Sequence, residues 1–353
     1  MEKNNASSRR NVLVMRFSAL GDVAMTIPVL YPMCSANPDT RFIMVTKPWP
    51  ASMFHDRPDN LEVLGIDVKE RYKGLFGLMK LAKMLRKQYQ IDAVADLHNV
   101  LRTRLLDLLM KFHGIPVAHL DKERRRRKAL ITHKSDEAVT STHDRYLNVF
   151  GQLGLESPDN FTRLYDNKTL PTSPIVLEKE PGQRWIAIAP FSAHVGKNYP
   201  LDLMAQVVAG LVENENYWVF LMGGGKTEKI ALRGIARANK RVTSMAEIKH
   251  GFLDEYALLG KCDVMLTMDS ANMHLASLMG LKAITIWGAT SPKCGFLGYN
   301  QDAAMDIQLD MECRPCSIYG ERDCKFGDYR CLKNINPEHI VNHVVNEIEQ
   351  FKG

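Results

Sequence analysis

The stretch DVMLTMDSANMHLASLMGLKAITIWGATSP, residues 263–292, decides the fold. Its apolar run DVMLTM reads as a buried strand, closed by the polar turn Asp269-Ser270-Ala271-Asn272. Met273, Leu275, Ala276, Leu278 and Met279 then recur at a helical period, and AITIW (283–287) supplies a second buried strand. Strand, helix, strand with continuous apolar strands is a βαβ unit of a parallel sheet. In such sheets ligands gather beyond the carboxyl ends of the strands, where helix N-termini present N–H groups. Ser270 stands there as a natural N-cap, with Asp269 before it and His274 about one helical turn on. An ordinary capped core helix would look the same, so the turn gains meaning only from partners elsewhere in the chain.

The same alternation runs outward in both directions. Apolar runs at 12–17, 41–46, 61–66, 93–97 and 115–119 predict strands in the first half. Helical patterns lie between and after them at 22–33, 74–89, 100–112 and 144–153. The 74–89 helix carries an apolar stripe of Leu75, Leu78, Met79, Ala82 and Leu85. From 154 to 182 the chain turns rich in Pro, Asn, Asp, Ser and Thr and loses periodicity, which marks a linker. Strands at 185–190 and 217–222, helices at 201–212 and 226–239, a segment at 252–259, the opening unit and a helix at 337–351 complete the second half. The expected fold class is α/β, with two Rossmann-like domains whose parallel sheets face a central cleft. The boundaries are placed at 1–170 and 171–353, with the last helix a candidate to pack back on the first domain.

At 353 residues, two domains are the default. Hydrophobic content of 45% against 24% charged residues is globular, which excludes a disordered chain. No apolar run is long enough for a membrane span, and the N-terminal MEKNNASSRRNVLVMRF lacks the features of a signal peptide, so the expected location is the cytoplasm. A net charge of +6 points to an anionic partner. The run KERRRRK (122–128) reads as a solvated loop or an anion patch. Without interleaved aromatics or a known binding module it does not argue for nucleic acid, and an anionic acceptor or the anionic membrane surface suits it as well. Cys313, Cys316, Cys324 and Cys331 crowd one segment with C-x2-C-x7-C-x6-C spacing. They are a candidate structural zinc site, or else reduced, packed thiols.

Three further strand ends carry chemistry. After the first strand, Arg16-Phe17-Ser18-Ala19-Leu20-Gly21-Asp22 places a small-residue turn and then a carboxylate that opens a helix. Asp22 suits a general base, or merely an acid favoured by the helix dipole. After the 185–190 strand, FSAHVGKNYP (191–200) offers the Ser192 hydroxyl and the Lys197 point charge to a phosphate. After the 217–222 strand, Gly223-Gly224-Gly225 allows close backbone approach or a tight turn. There is no G-x-G-x-x-G and no Walker A motif, so neither a nicotinamide enzyme nor a kinase is favoured.

RFSALGDVAMTIPVL (16–30), FSAHVGKNYP (191–200), LMGGG (221–225), MDSANMHLASLMGLKAITIWGATSP (268–292) and the cysteine-bearing 313–340 together resemble glycosyltransferase family 9. These are the ADP-heptose:lipopolysaccharide heptosyltransferases of Gram-negative bacteria. The resemblance implies a GT-B fold, with the acceptor on the N-terminal domain and the nucleotide sugar on the C-terminal one. It also implies inverting transfer of a heptose to the lipopolysaccharide inner core without a required cofactor or obligatory metal. By position, Asp22 matches the catalytic base and Lys197 the pyrophosphate lysine, with Ser192 at a matching hydroxyl position. Asp269, Ser270 and His274 match the nucleotide and sugar-phosphate turn. Gly223 and Gly224 fall to the donor, and Arg16, Ser18, Gly21 and Arg102 to the acceptor, with the arginines at 124–127 as further anion contacts. Ala271-Asn272, where many relatives carry a smaller pair, puts donor identity in question, as does the segment LMGGGKTEK, where Glu228 is a candidate acid for a ribose and no acid is securely placed. The alternatives are a transferase of the same fold using another nucleotide sugar, or a catalytically silent protein that binds one.

Overall fold

The structure, a computed structural model, describes residues 9–350. The first eight residues of the N-terminal stretch, and Phe351 at the end of the expected last helix, lie outside them. The chain divides into two compact α/β units. The first comprises the residues up to Lys122 with Thr142–Thr162, and the second comprises Glu123–Ser141 with Arg163–Gly353. A single cut at residue 170 therefore does not describe the molecule, because the 123–141 segment belongs by its contacts to the second unit.

In the first unit, β1 (Arg10–Met15), β2 (Thr40–Thr46), β3 (Leu61–Gly65), β4 (Ala93–Asp96) and β5 (Val117–His119) form one parallel sheet in the order β3-β2-β1-β4-β5. β1 is central, and Leu13 and Met15 are fully buried with Ile43, Val45 and Val94. The helix Gly74–Tyr89 packs on this face, but through Leu78, Leu81, Ala82, Leu85 and Tyr89. Leu75 and Met79 of the expected stripe are exposed instead. Both stripes satisfy the i, i+3, i+4 rule, and the sheet selects the one that carries the larger far-end residue, Tyr89.

In the second unit, β6 (Arg184–Ala189), β7 (Tyr217–Leu221), β8 (Val242–Ser244), β9 (Val264–Met268), β10 (Ala283–Ile286) and β11 (Asp306–Ile307) pair in parallel in the order β11-β10-β9-β6-β7-β8. The opening stretch thus forms the βαβ unit it predicts, with β9 at the centre and the helix Ala271–Leu278 between its strands. The strand order reverses between β9 and β6, the switch point where the strand ends leave room for a ligand. The last helix, Pro337–Gln350, packs in the second unit. Ile340, Val344 and Ile348 bury against Met204, Val207 and Val208 of the helix Leu201–Leu211 in the second unit's own core.

The run at 122–128 is not a loop. It forms the helix Arg124–Ile131, with Arg124, Arg125 and Arg126 exposed and Arg127 only 8% exposed. Among the described residues no helix is long and apolar enough to cross a membrane.

A buried acid pair lies behind the β4 strand end. Asp96 Oδ1 accepts the N–H groups of His98 and Asn99, at 2.8 and 2.9 Å. Asp96 Oδ2 and Asp107 Oδ1 are buried with no hydrogen-bond donor among the described residues, and the two acids face one another. Burial, with the Asp96 carboxylate beside it, pushes the Asp107 carboxyl well above the usual range. One proton held on Asp107 satisfies both oxygens. Above the ordinary carboxylate pKa the folded chain then binds more protons than the unfolded one, so stability falls as pH rises toward and through the raised value. Asp107→Asn, which supplies a permanent donor, is expected to flatten that dependence. It should gain about 1–3 kcal/mol over the wild type at pH 8 and little at pH 5, measured by urea unfolding.

Candidate active site

In the first unit the site starts where β1 ends. The chain turns through Arg16-Phe17-Ser18-Ala19 into the short helix Leu20–Ala24, with Gly21 buried inside it. Asp22 sits at the third helical position, where its Oδ2 accepts the Ala19 N–H at 2.9 Å and forms an ion pair with Arg16 Nη2. The same carboxylate therefore caps the helix and stands at the strand end. Arg16 is itself fixed. Its Nη1 donates to Leu97 O at 2.7 Å, and its guanidinium lies 5.9 Å from the Tyr146 ring centroid. The Tyr146 hydroxyl donates to the Asp22 carbonyl at 3.1 Å, which ties the turn to the helix Thr142–Gly151.

His98, from the end of β4, was not singled out in the sequence. Its Nδ1 faces the Phe17 N–H and its Nε2 faces Ser18 Oγ, both at 3.5 Å. Burial, then the charge of Arg16, pushes His98 down to about 3, so the ring is neutral at physiological pH. Arg102, half-buried at the start of the helix Leu101–Lys111, adds to that field. The signal was available, because Leu97-His98-Asn99 is a polar turn after a buried strand, like the others.

Beside Ser18 and Ala19 opens a cavity of about 520 Å³, wholly within the first unit. Phe17, Leu20, Ile66 and Val68 wall it, and Trp49, 61% exposed, stands with Lys47 and Lys69 along its lining. Asp67 lines the same cavity, and the charge of Lys69 acts on its carboxylate. Trp49 sits in the turn Pro48–Ala51, where two prolines restrict the backbone and the Ser52 hydroxyl donates to Trp49 O at 2.7 Å.

In the second unit the ends of β6, β9 and β10 converge on Asp269. Lys197 Nζ lies 3.0 Å from Asp269 Oδ2, and Thr290 Oγ1 donates to the same oxygen at 2.8 Å. Ser192 Oγ donates to the Asp269 carbonyl at 3.0 Å, while the Ser192 N–H is held by Asn198 Oδ1 at 2.6 Å. Ser270 caps the following helix, accepting the Asn272 N–H at 3.3 Å, and its Oγ is 3.2 Å from Thr267 Oγ1. His274 is buried one turn further on. Thus Ser192, Lys197, Asp269 and Ser270 come together, and Thr290 and Asn198 join them unforeseen. Thr290 lies within the opening stretch, but a lone threonine after a strand gives no period to read.

Gly223 and Gly224 differ. A Cβ on Gly223 would meet Leu232 Cδ1 at 2.9 Å and Glu228 Oε2 at 3.1 Å, whereas one on Gly224 would meet open space. A side chain at 223 would therefore have to displace the ends of Leu232 and Glu228. Glu228 Oε2 accepts the Gly224 N–H at 2.6 Å, so the acid considered for a ribose holds its own loop in this structure. Cys313, Cys316, Cys324 and Cys331 are free thiols. The zinc site suggested by their spacing is not formed, since among the described residues no three His, Cys, Asp or Glu side chains are grouped to hold a metal.

A doubly wound pair of parallel α/β units with a carboxylate at one central strand end and a lysine–hydroxyl cluster at the other has the layout of a glycosyltransferase. The chain belongs to glycosyltransferase family 9 (heptosyltransferase), whose family model matches residues 78–327. It is 22% identical over 332 residues to lipooligosaccharide heptosyltransferase 2 of Campylobacter jejuni, covering 92% of this chain and 95% of that one. Among solved structures it superposes on a family 9 glycosyltransferase from Veillonella parvula with a TM-score of 0.73 at 19% identity, covering 99% of each chain. It also superposes on the Escherichia coli heptosyltransferase WaaC with ADP, at a TM-score of 0.68 and 17% identity, covering 96% of this chain and 99% of that one. The fold is therefore GT-B, and the chain is a glycosyltransferase of the heptosyltransferase family.

Proposed function

We propose that this enzyme transfers a heptose from ADP-heptose to a hydroxyl of the lipopolysaccharide inner core, with inversion and with Asp22 as general base. The observation that carries the donor side is the cluster of Lys197, Ser192, Thr290 and Ser270 around Asp269. A diphosphate at these strand ends gains a cation, hydroxyls and helix N–H groups aimed at its developing charge. Crystal structures of WaaC hold ADP and ADP-2-deoxy-2-fluoro heptose, which supports an adenine nucleotide.

On the acceptor side, Asp22 takes the proton of the attacking hydroxyl as its oxygen bonds to the anomeric carbon. The bond from that carbon to the diphosphate breaks, and its electron pair leaves on ADP. A single displacement on the opposite face inverts the centre. Arg16 and Gly21 hold the Asp22 turn, while Ser18, His98 and Arg102 flank it. The neighbouring cavity suits the acceptor saccharide, with Trp49 offering a flat apolar face to a sugar ring and Lys47 and Lys69 offering charge to its acid groups. The exposed Arg124 and Arg125 suit an anionic membrane surface at the inner face of the inner membrane. No cofactor enters the chemistry.

Trp49→Ala is expected to raise the acceptor KM about tenfold and leave ADP affinity unchanged. Steady-state kinetics with calorimetry of ADP binding would read both. The proposal as a whole is tested by a donor panel. ADP-heptose should compete for the site at least tenfold better than UDP- or GDP-sugars, and a UDP- or GDP-sugar that binds more tightly would overturn the donor assignment.

A further inference from the structure

We infer that Arg127 is a positioning residue for the donor lysine, acting through Tyr319 and Gly320 on the stem of Lys197. This rests on the reading of Lys197 as the diphosphate contact. Arg127 is buried, and its Nε has no hydrogen-bond partner among the described residues. It has no carboxylate partner among them either. Its guanidinium lies 5.4 Å from the Phe296 ring centroid and 5.5 Å from that of Tyr319, and Nη1 donates to the Tyr319 hydroxyl. A buried guanidinium without a counter-ion is costly. Two aromatic faces and one hydroxyl hold this one in a fixed place.

What Arg127 holds leads straight to the site. The next residue, Gly320, lies against Lys197 so closely that a Cβ there would meet Lys197 Cγ and Cδ at 2.5 Å, and its φ of +80° favours glycine. Its N–H donates to Ser317 Oγ at 3.0 Å, and the Tyr319 N–H donates to Glu321 Oε2 at 3.1 Å, so the turn is internally tied. The Cys316 and Ser317 N–H groups donate to Ala289 O at 3.0 and 3.2 Å, and the Ala289 N–H donates to Gly196 O at 2.7 Å. Lys197 is therefore braced on one side by its neighbour Gly196 and on the other by Gly320.

Arg127 arrives at this brace on the 123–141 segment. That segment is anchored in the second unit by the Val139 N–H to Lys293 O bond at 2.8 Å and by the cluster of Leu130, Val139, Cys294 and Ile318. A lysine with four rotatable bonds has a large side-chain entropy to lose when it meets a phosphate. A stem already fixed by packing loses less, and the affinity gained is that of preorganisation.

The test is a double-mutant cycle read by calorimetry of ADP binding, with thermal unfolding recorded for each variant. Arg127→Met is expected to weaken ADP about tenfold, and Tyr319→Phe about threefold. Both losses should shrink below twofold when Lys197 is replaced by methionine. Arg127→Lys, a cation without the planar fork, should recover only part of the loss. Should Arg127→Met not fold, Tyr319→Phe carries the cycle, because that side chain is 46% exposed and loses one oxygen. ADP affinity unchanged in Tyr319→Phe and Arg127→Met overturns the inference. Losses that persist in full without Lys197 overturn it as well, since a merely structural role would be additive. If Lys197→Met itself leaves ADP binding intact, the donor reading fails and the inference with it.

Discussion

Asp22→Asn is expected to lower transfer about 10³-fold, within the range ascribed to general-base catalysis, while leaving ADP affinity within twofold. The substitution preserves shape. An asparagine carbonyl can still accept the Ala19 N–H that Asp22 Oδ2 accepts, so the turn after β1 keeps its cap. Arg16 loses its ion pair but retains the Leu97 carbonyl and the Tyr146 ring. What disappears is the ability to take a proton. The expected signature is a fall in kcat with little change in either KM, and thermal unfolding reports the ion-pair loss separately. Turnover at the wild-type rate would remove Asp22 as the base.

The second large effect is at Lys197. Lys197→Met removes the cation that lies 3.0 Å from Asp269, a residue only 4% exposed, and with it the phosphate contact proposed above. Two losses are therefore expected from one substitution. Donor affinity should fall about 100-fold, the scale of a charge-assisted phosphate contact. Stability should fall by about 3 kcal/mol, because breaking a buried pair strands the remaining charge. The two can be separated. Adding Asp269→Asn to Lys197→Met leaves a neutral side chain that still accepts from Thr290, whose hydroxyl now donates to Asp269 Oδ2. Stability should largely return in the double variant, and donor affinity should not. If affinity returned with stability, Lys197 would be a structural cation and not a ligand contact.

Much of the fold was legible because buried parallel strands are long apolar runs between helical periods. The runs that became β1, β2, β6, β7 and β9 are of that kind. β8 and β11 were missed because each is short and has no apolar run through it, whereas the equally short β5 lies in the run Ile115-Pro116-Val117-Ala118. The face of the helix Gly74–Tyr89 was misjudged because two overlapping stripes fit the pattern and only the sheet chooses between them. At the candidate site, the residues singled out stand at strand ends, the places where ligands gather in parallel sheets. What stayed hidden were partnerships between distant positions. Nothing local in the sequence ties Lys197 to Asp269 and Thr290, or Arg127 to Phe296 and Tyr319. The arginine run illustrates the difference. Composition reads four equivalent charges, whereas one turn of helix buries Arg127 and leaves the others in water.

The most direct measurement is the anomeric configuration of the product, read by NMR after incubation with ADP-heptose and an inner-core acceptor, with released ADP quantified alongside. A single displacement assisted by Asp22 predicts one inverted linkage formed per ADP released. Retention of configuration, or ADP release without a new glycosidic bond, would contradict it.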